Sequence, residues 1–182
     1  MQSVPRPCQR PGEPGRLRRA AVGTPHLMGS RSARPKLVAI ASGGGHWVQL
    51  QRLTPAFESA DVTYVTTRSD LRRDVGKCSF RTVPDANRWE KWKLIRCALA
   101  VARVLLLERP DIVLTTGAAP GYLAVRFGKL LGARTIWIDS VANADELSMS
   151  GERAQKHADL CITQWPHLAS PDGPQYYGSV FG

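Results

Sequence analysis

Residues 37–41, Leu-Val-Ala-Ile-Ala, form a short unbroken apolar run that ends in Ser42-Gly43-Gly44-Gly45-His46. A run of this length suits a strand buried on both faces, as in a parallel sheet. Three consecutive glycines then suit a tight turn into a helix. The rest of the chain repeats the alternation. Residues 46–57 read as a helix with Val48, Leu50 and Leu53 on one side, 61–66 as a β-branched strand, and 79–83 as a shorter strand closed by Pro84. A long helical pattern covers 89–107 and is stopped by Glu108-Arg109-Pro110. A strand over 111–115, a helix to about Leu131, strands over 133–138 and 159–163, and a last one over 177–181 complete the expectation. Strands alternating with helices through short loops predict an α/β fold, a Rossmann-like doubly wound parallel sheet over residues 36–182.

Charge divides the chain differently. Its 25 Lys and Arg outnumber 15 Asp and Glu, for a net charge of +10, and the first 36 residues hold eight of the basic residues against Glu13 alone. Six of the 13 prolines lie in the same stretch, which has no apolar periodicity. Residues 1–35 therefore read as a disordered basic leader. It is either an upstream translation extension, with Met28 as the working start, or a basic arm for anionic headgroups. No apolar stretch of signal-peptide length follows its arginines. With the leader set aside, the body keeps little excess charge and no recognition motif, so nucleic acid is not an expected partner. No apolar run reaches the length of a spanning helix. Cys8, Cys78, Cys97 and Cys161 are scattered without a C-x-x-C pair, which disfavours a zinc site or a disulfide framework and predicts buried free thiols.

Ligands of open α/β sheets bind at the carboxyl ends of the strands, and three segments fall there. Ser42, Gly43, Gly44 and Gly45 offer backbone N–H groups at a helix start, the natural cradle of a phosphate or diphosphate. The spacing is not G-x-G-x-x-G and no acidic residue closes the second strand, so a nicotinamide or flavin cofactor is disfavoured. His46 is placed to act as a general base or to touch a phosphate; the plainer alternative is a structural histidine. Thr116 and Gly117 open a second anion-tolerant loop, Thr115-Thr116-Gly117-Ala118-Ala119-Pro120-Gly121. Asp139 and Ser140 follow a third strand, where a carboxylate can serve as a base, bind a sugar hydroxyl or cap a helix. Ser148 and Ser150, in a short polar turn, line the same crevice. No metal-binding pair is evident. In the long helix, Trp89, Trp92 and Arg96 stand at the end suited to contact an anionic membrane, while residues 99–107 are expected to be buried.

Taken in order, Ser42-Gly43-Gly44-Gly45-His46, the Thr-Thr-Gly-Ala-Ala-Pro-Gly loop, Asp139-Ser140, Glu146-Leu147-Ser148-Met149-Ser150-Gly151, Ala158-Asp159 and Gln164-Trp165-Pro166 resemble a known family. It is the acceptor-side, membrane-associated subunit of two-subunit N-acetylglucosaminyltransferases of lipid-linked oligosaccharide assembly. Bacterial subunits of the PssD type, which serve exopolysaccharide synthesis, are the more similar branch. The resemblance runs from about residue 36 to the C-terminus.

It implies the N-terminal half of a GT-B glycosyltransferase, like that of MurG-like family 28 enzymes, which receives a polyprenyl-diphosphate-linked acceptor. A separate donor-binding subunit is then expected to hold the UDP-sugar, with no cofactor bound tightly here. The resemblance also implies peripheral attachment at the cytoplasmic face of the inner (plasma) membrane. The eukaryotic relatives begin with a membrane-anchoring helix, where this chain has its basic leader. A rival expectation is a non-catalytic scaffold that recruits its partner to the membrane.

Overall fold

The structure is a computed structural model that describes residues 34–86 and 90–181. The leader, apart from its last two residues, and Trp89 lie outside the described residues. Seven strands form one parallel sheet: β1 Lys36–Ala41, β2 Asp61–Thr66, β3 Ser79–Thr82, β4 Ile112–Thr115, β5 Arg134–Ile138, β6 Leu160–Thr163 and β7 Gln175–Tyr176. Their order is β3-β2-β1-β4-β5-β6-β7. From β1 the chain steps outward to β2 and β3, then returns to place β4 on the other side of β1. Direction reverses between β1 and β4, and the crevice beside such a switch point is where this class of sheet takes its ligand.

The unbroken apolar sequence of β1 has its expected consequence, since Leu37 to Ala41 are all buried. One face of the sheet receives helix α1, Gly45–Arg52, through Trp47 and Leu50, which join Leu37, Ala39, Phe57 and Tyr64. Eight residues do not sustain a helix in water. Burial of a large apolar side chain such as Leu50 contributes roughly 1.5–3 kcal/mol, so tertiary contact holds α1. It is shorter than the periodicity predicts. Pro55 directs the chain into a 3-10 turn over Thr54–Phe57, and Val48 faces solvent instead of the core.

The opposite face carries α2, Lys91–Glu108, and α3, Ala118–Leu130. Val101, Val104 and Leu105 of α2 meet Val38, Ile40, Val65 and Val113 of the sheet. Arg109, at φ 46°, caps α2 in the left-handed conformation before Pro110. A fourth helix, α4, Met149–Gln155, buries Ala154 beside Trp137 and Cys161; the sequence showed this stretch only as a polar turn. The last strand is Gln175–Tyr176, not 177–181. Burial of residues 99–107 is also corrected: Val101, Val104 and Leu105 are inside, but Leu99, Leu106 and Leu107 are exposed. One helix can turn only one side to a sheet.

Gly121 is where α3 touches β4. A Cβ there would stand 2.1 Å from Thr115 Oγ1 and 3.1 Å from its Cβ, and Thr115 is wholly buried. Alanine in a helix interior ordinarily gains up to about 1 kcal/mol over glycine. Here overpacking outweighs that gain, and Gly121→Ala is expected to lower stability by about 1–3 kcal/mol, read from the urea midpoint.

Cys97 and Cys161 are buried free thiols. Burial pushes Cys97 up to about 11 and Cys161 up to about 12, with the charge of Asp139 as a second cause for the latter. The unfolded thiols titrate near the ordinary value of 9.0. From about pH 9 to about pH 12 the unfolded chain releases protons that the native chain keeps. The thiols' contribution to stability is therefore complete below that window and falls as pH rises through it. Cys161→Ala should flatten the decline, measured as unfolding midpoint against pH.

Candidate functional site at the switch-point crevice

The loops that leave β1 and β4 are clasped together. His46 Nδ1 lies 2.7 Å from the carbonyl oxygen of Thr116, and Thr116 Oγ1 donates to the carbonyl oxygen of His46, also at 2.7 Å. A carbonyl can only accept, so Nδ1 carries the proton, and Nε2 is the nitrogen with a free lone pair in the neutral ring. Gly117, at φ 125°, admits the imidazole: a Cβ there would lie 2.7 Å from His46 Cε1. Thr116 and Gly117 are buried in this clasp and do not form an open wall. The next residue, Ala118, holds φ 67°, a left-handed conformation costly for alanine.

Helix α1 begins without a side-chain cap and with no acidic residue in its first turn, after Gly44 at φ 80°. Its opening N–H groups and partial positive charge thus face the loop. Gly44 and Gly45 are exposed. Gly43 differs, because its N–H donates to Thr67 Oγ1 at 3.2 Å. A Cβ on Gly43 would meet Arg68 Cδ at 2.5 Å, so the Arg68 stem covers it, with the guanidinium paired to Asp70 at 2.7 Å. Ser42 is half-buried at the end of β1.

Asp139 is 2% exposed and its carboxylate is filled. Oδ1 accepts from Ser148 Oγ at 2.6 Å and Trp137 Nε1 at 3.1 Å; Oδ2 accepts from the Ser148 N–H at 2.8 Å and Asn143 Nδ2 at 3.1 Å. Ser148 Oγ in turn accepts from the Gly151 N–H and caps α4. A Cβ on Gly151 would stand 2.6 Å from Asp139 Oδ1, which explains a glycine there. Ser150 is half-buried in the same turn. Asp139 therefore ties down the loop 140–148.

Two glutamines link these groups, and both are 3% exposed. Gln49 Oε1 accepts from the Val141 N–H at 3.1 Å and from Gln164 Nε2 at 2.6 Å, while its Nε2 donates to Ser140 Oγ at 2.9 Å. Gln164 Nε2 also donates to the carbonyl of Asp139 at 2.9 Å, and its Oε1 accepts from the Val180 N–H at 3.0 Å. Backbone N–H groups only donate, so neither amide can flip. Helix α1, which carries His46, is thereby locked to the Asp139 loop and to the C-terminal segment. The sequence reading missed Gln49 and met Gln164 only within Gln164-Trp165-Pro166. A glutamine between Trp47 and Leu50 on a short helix is the signal that could have exposed it.

The crevice thus brings His46, Thr116 and Gly117 together, with Asp139, Ser140 and Ser148 joined to them through Gln49. Trp92 and Arg96 lie outside it, exposed on α2. Among the described residues no three His, Cys, Asp or Glu side chains are grouped so as to hold a metal ion. None of the described helices is long and apolar enough to cross a membrane.

A seven-stranded parallel sheet with flanking helices and a crevice at its switch point defines a GT-B Rossmann-like half. MurG of Acinetobacter baumannii superposes with a TM-score of 0.65 at 12% identity, over 80% of this chain and 45% of that one. UDP-N-acetylglucosamine 2-epimerase from Rickettsia bellii gives 0.64 at 17% identity, over 82% and 46%. The chain spans less than half the length of either structure.

Sequence narrows the class. The chain belongs to the family of Alg14-like oligosaccharide biosynthesis proteins, whose profile matches residues 72–180. The UDP-N-acetylglucosamine transferase subunit ALG14 of Yarrowia lipolytica is 23% identical over 167 residues, covering 76% of this chain and 77% of that protein.

Proposed function

We propose that this chain is the acceptor-binding subunit of an inverting glycosyltransferase. It would transfer a sugar, N-acetylglucosamine or another hexose, from a UDP-sugar to a polyprenyl-diphosphate-linked acceptor in oligosaccharide or exopolysaccharide synthesis. A second subunit binds the UDP-sugar and closes the active site. The observation that carries the reading is the uncapped first turn of α1, with exposed Gly44 and Gly45, at the switch point beside a histidine of fixed tautomer. The name of the Yarrowia relative, a transferase subunit, supports a two-subunit assembly.

The N–H groups of Gly44, Gly45 and His46 bind the acceptor's diphosphate, aided by the helix dipole. Gly43 and Ser42 shape the turn, because the Gly43 N–H is committed to Thr67. The acceptor hydroxyl oxygen attacks the anomeric carbon of the donor from the side opposite the leaving group. Its proton passes to His46 Nε2 as the new C–O bond forms, and the bond to the nucleotide diphosphate breaks, releasing UDP with inversion. Asp139 acts here as a positioning residue, since its four hydrogen bonds leave it no lone pair aimed at a substrate. Its partner Ser148, with Ser140 and Ser150, keeps the loop wall in place. An acceptor of this kind sits in a bilayer, so the subunit works as a peripheral protein at the cytoplasmic face of the membrane.

The test is reconstitution. The full chain is co-expressed with the donor-binding subunit, and transfer from UDP-N-acetylglucosamine or UDP-hexoses to a soluble prenyl-diphosphate sugar is followed by mass. Transfer that requires both chains is the expected result. Failure of every UDP-sugar to react, in a pair that co-purifies, would overturn the reading.

A further inference from the structure

Gly43 is a glycine for a reason other than its backbone. Gly44 at φ 80° needs the freedom of glycine, but Gly43 does not hold a left-handed φ. What it lacks is room: a Cβ would meet Arg68 Cδ at 2.5 Å and Cγ at 3.0 Å. Arg68 follows β2, the neighbour of β1 on the side away from β4. Its stem therefore lies across the glycine turn, and the guanidinium carbon is only two bonds beyond Cδ. His46 is clasped to the loop on the β4 side through Thr116. The exposed Gly44 and Gly45 thus belong to a turn with a cation on one flank and an imidazole on the other.

Arg68 is held in a way that keeps donors free. Asp70 takes one side of the fork, with Nε donating to Oδ1 at 3.1 Å and Nη2 to Oδ2 at 2.7 Å. A guanidinium carries five N–H groups, and Nη1 has no hydrogen-bond partner among the described residues. The edge formed by Nη1 and Nη2 is left to grip an oxyanion, a two-pronged geometry that suits phosphate. The other arginines after β2 are turned elsewhere. Arg72 Nη1 donates to the Gly76 carbonyl at 2.7 Å, and Arg73 lies 3.9 Å from Asp74. The Arg68 and Asp70 side chains are 59% and 48% accessible, and a pair so exposed adds little stability. Stability alone does not account for the glycine at 43 that admits the stem.

We propose that Arg68 binds the acceptor's diphosphate and makes the site selective for a diphosphate over a monophosphate linkage. The inference rests on the acceptor-binding reading and deepens it. One phosphate meets the open amides of α1, whose dipole supplies roughly half a positive charge. The second phosphate adds a negative charge that the dipole leaves unbalanced, and the free edge of Arg68 neutralises it. A monophosphate is satisfied by the amides and gains less from the arginine.

The experiment is calorimetric titration of the full chain, co-purified with the donor-binding subunit. The probes are geranyl-diphosphate-linked N-acetylglucosamine, its monophosphate counterpart and inorganic pyrophosphate. The native pair is expected to prefer the prenyl diphosphate. Arg68→Met, which keeps the stem over Gly43, should weaken that binding about ten- to a hundredfold, the share of a charge-assisted contact, and erase most of the preference. Arg68→Lys should fall between the two, because it restores a charge without the fork. Arg81→Met removes an exposed arginine paired with Glu108 and should bind as the native pair does. Circular dichroism and unfolding midpoints like the native ones certify the variants. The proposal is overturned if Arg68→Met binds the prenyl diphosphate as tightly as the native pair, or if Arg81→Met loses as much. A rise in KM for the UDP-sugar in place of the acceptor would assign Arg68 to the donor and overturn it too. Inorganic pyrophosphate that competes as strongly as the prenyl compound would make this a free-pyrophosphate site, again overturning it. A native pair that binds neither prenyl compound removes the acceptor-binding reading and this inference together, whereas native binding that ignores Arg68 removes the inference alone.

Discussion

Glutamine in place of His46 is expected to lower turnover of the proposed two-subunit transferase by about 10²–10⁴-fold, the share that a positioned general base contributes. The variant separates the proposed proton transfer from the observed clasp. An amide N–H can still donate toward the Thr116 carbonyl, which the native ring meets through Nδ1, so the clasp between the β1 and β4 loops has a substitute. No basic nitrogen then remains where Nε2 stood. The loss should fall in kcat, with KM for the acceptor and the unfolding midpoint little changed. Initial rates with labelled UDP-sugar would show this. Turnover like that of the native pair would instead make the chain a recruiting scaffold, with the base supplied by its partner.

The second large effect concerns stability. Asp139→Asn is expected to lower the free energy of unfolding by about 3–5 kcal/mol, because two donors meet each oxygen of the native carboxylate. Either orientation of the asparagine amide turns an NH₂ group toward two donors, Trp137 Nε1 and Ser148 Oγ or Asn143 Nδ2 and the Ser148 N–H. Two charge-assisted bonds are lost and buried donors go unpaired. Denaturant unfolding followed by near-ultraviolet circular dichroism would measure the change. A full-stability variant with abolished turnover would instead return Asp139 to the role of a base.

Much of the architecture was legible because parallel sheets leave a plain record. Residues 37–41 are apolar without alternation since both sides of β1 are covered, by α1 on one face and by α2 and α3 on the other. The glycine run marks the turn that follows, and Pro110 marks the end of α2. The site was legible as segments only. Ser42–His46, Thr116–Gly117 and Asp139–Ser140 each announce a loop at a strand end, but no local pattern tells that His46 meets Thr116, 70 residues away, or that Gln49 meets Gln164, 115 residues away. Leu99 and Leu106 show a further limit. Composition counts them as apolar, and only the packing of α2 decides that they face outward.

The sequence by itself determined the strand and helix periods, the sheet class and the three loops that carry glycine, threonine and serine, because backbone geometry and side-chain size act over a few residues. Tertiary structure decided which amides stay open, which nitrogen of His46 is free, that Asp139 is a brace, and which side of α2 meets solvent. Those outcomes depend on partners distant along the chain, and only the closed sheet brings them within hydrogen-bonding reach.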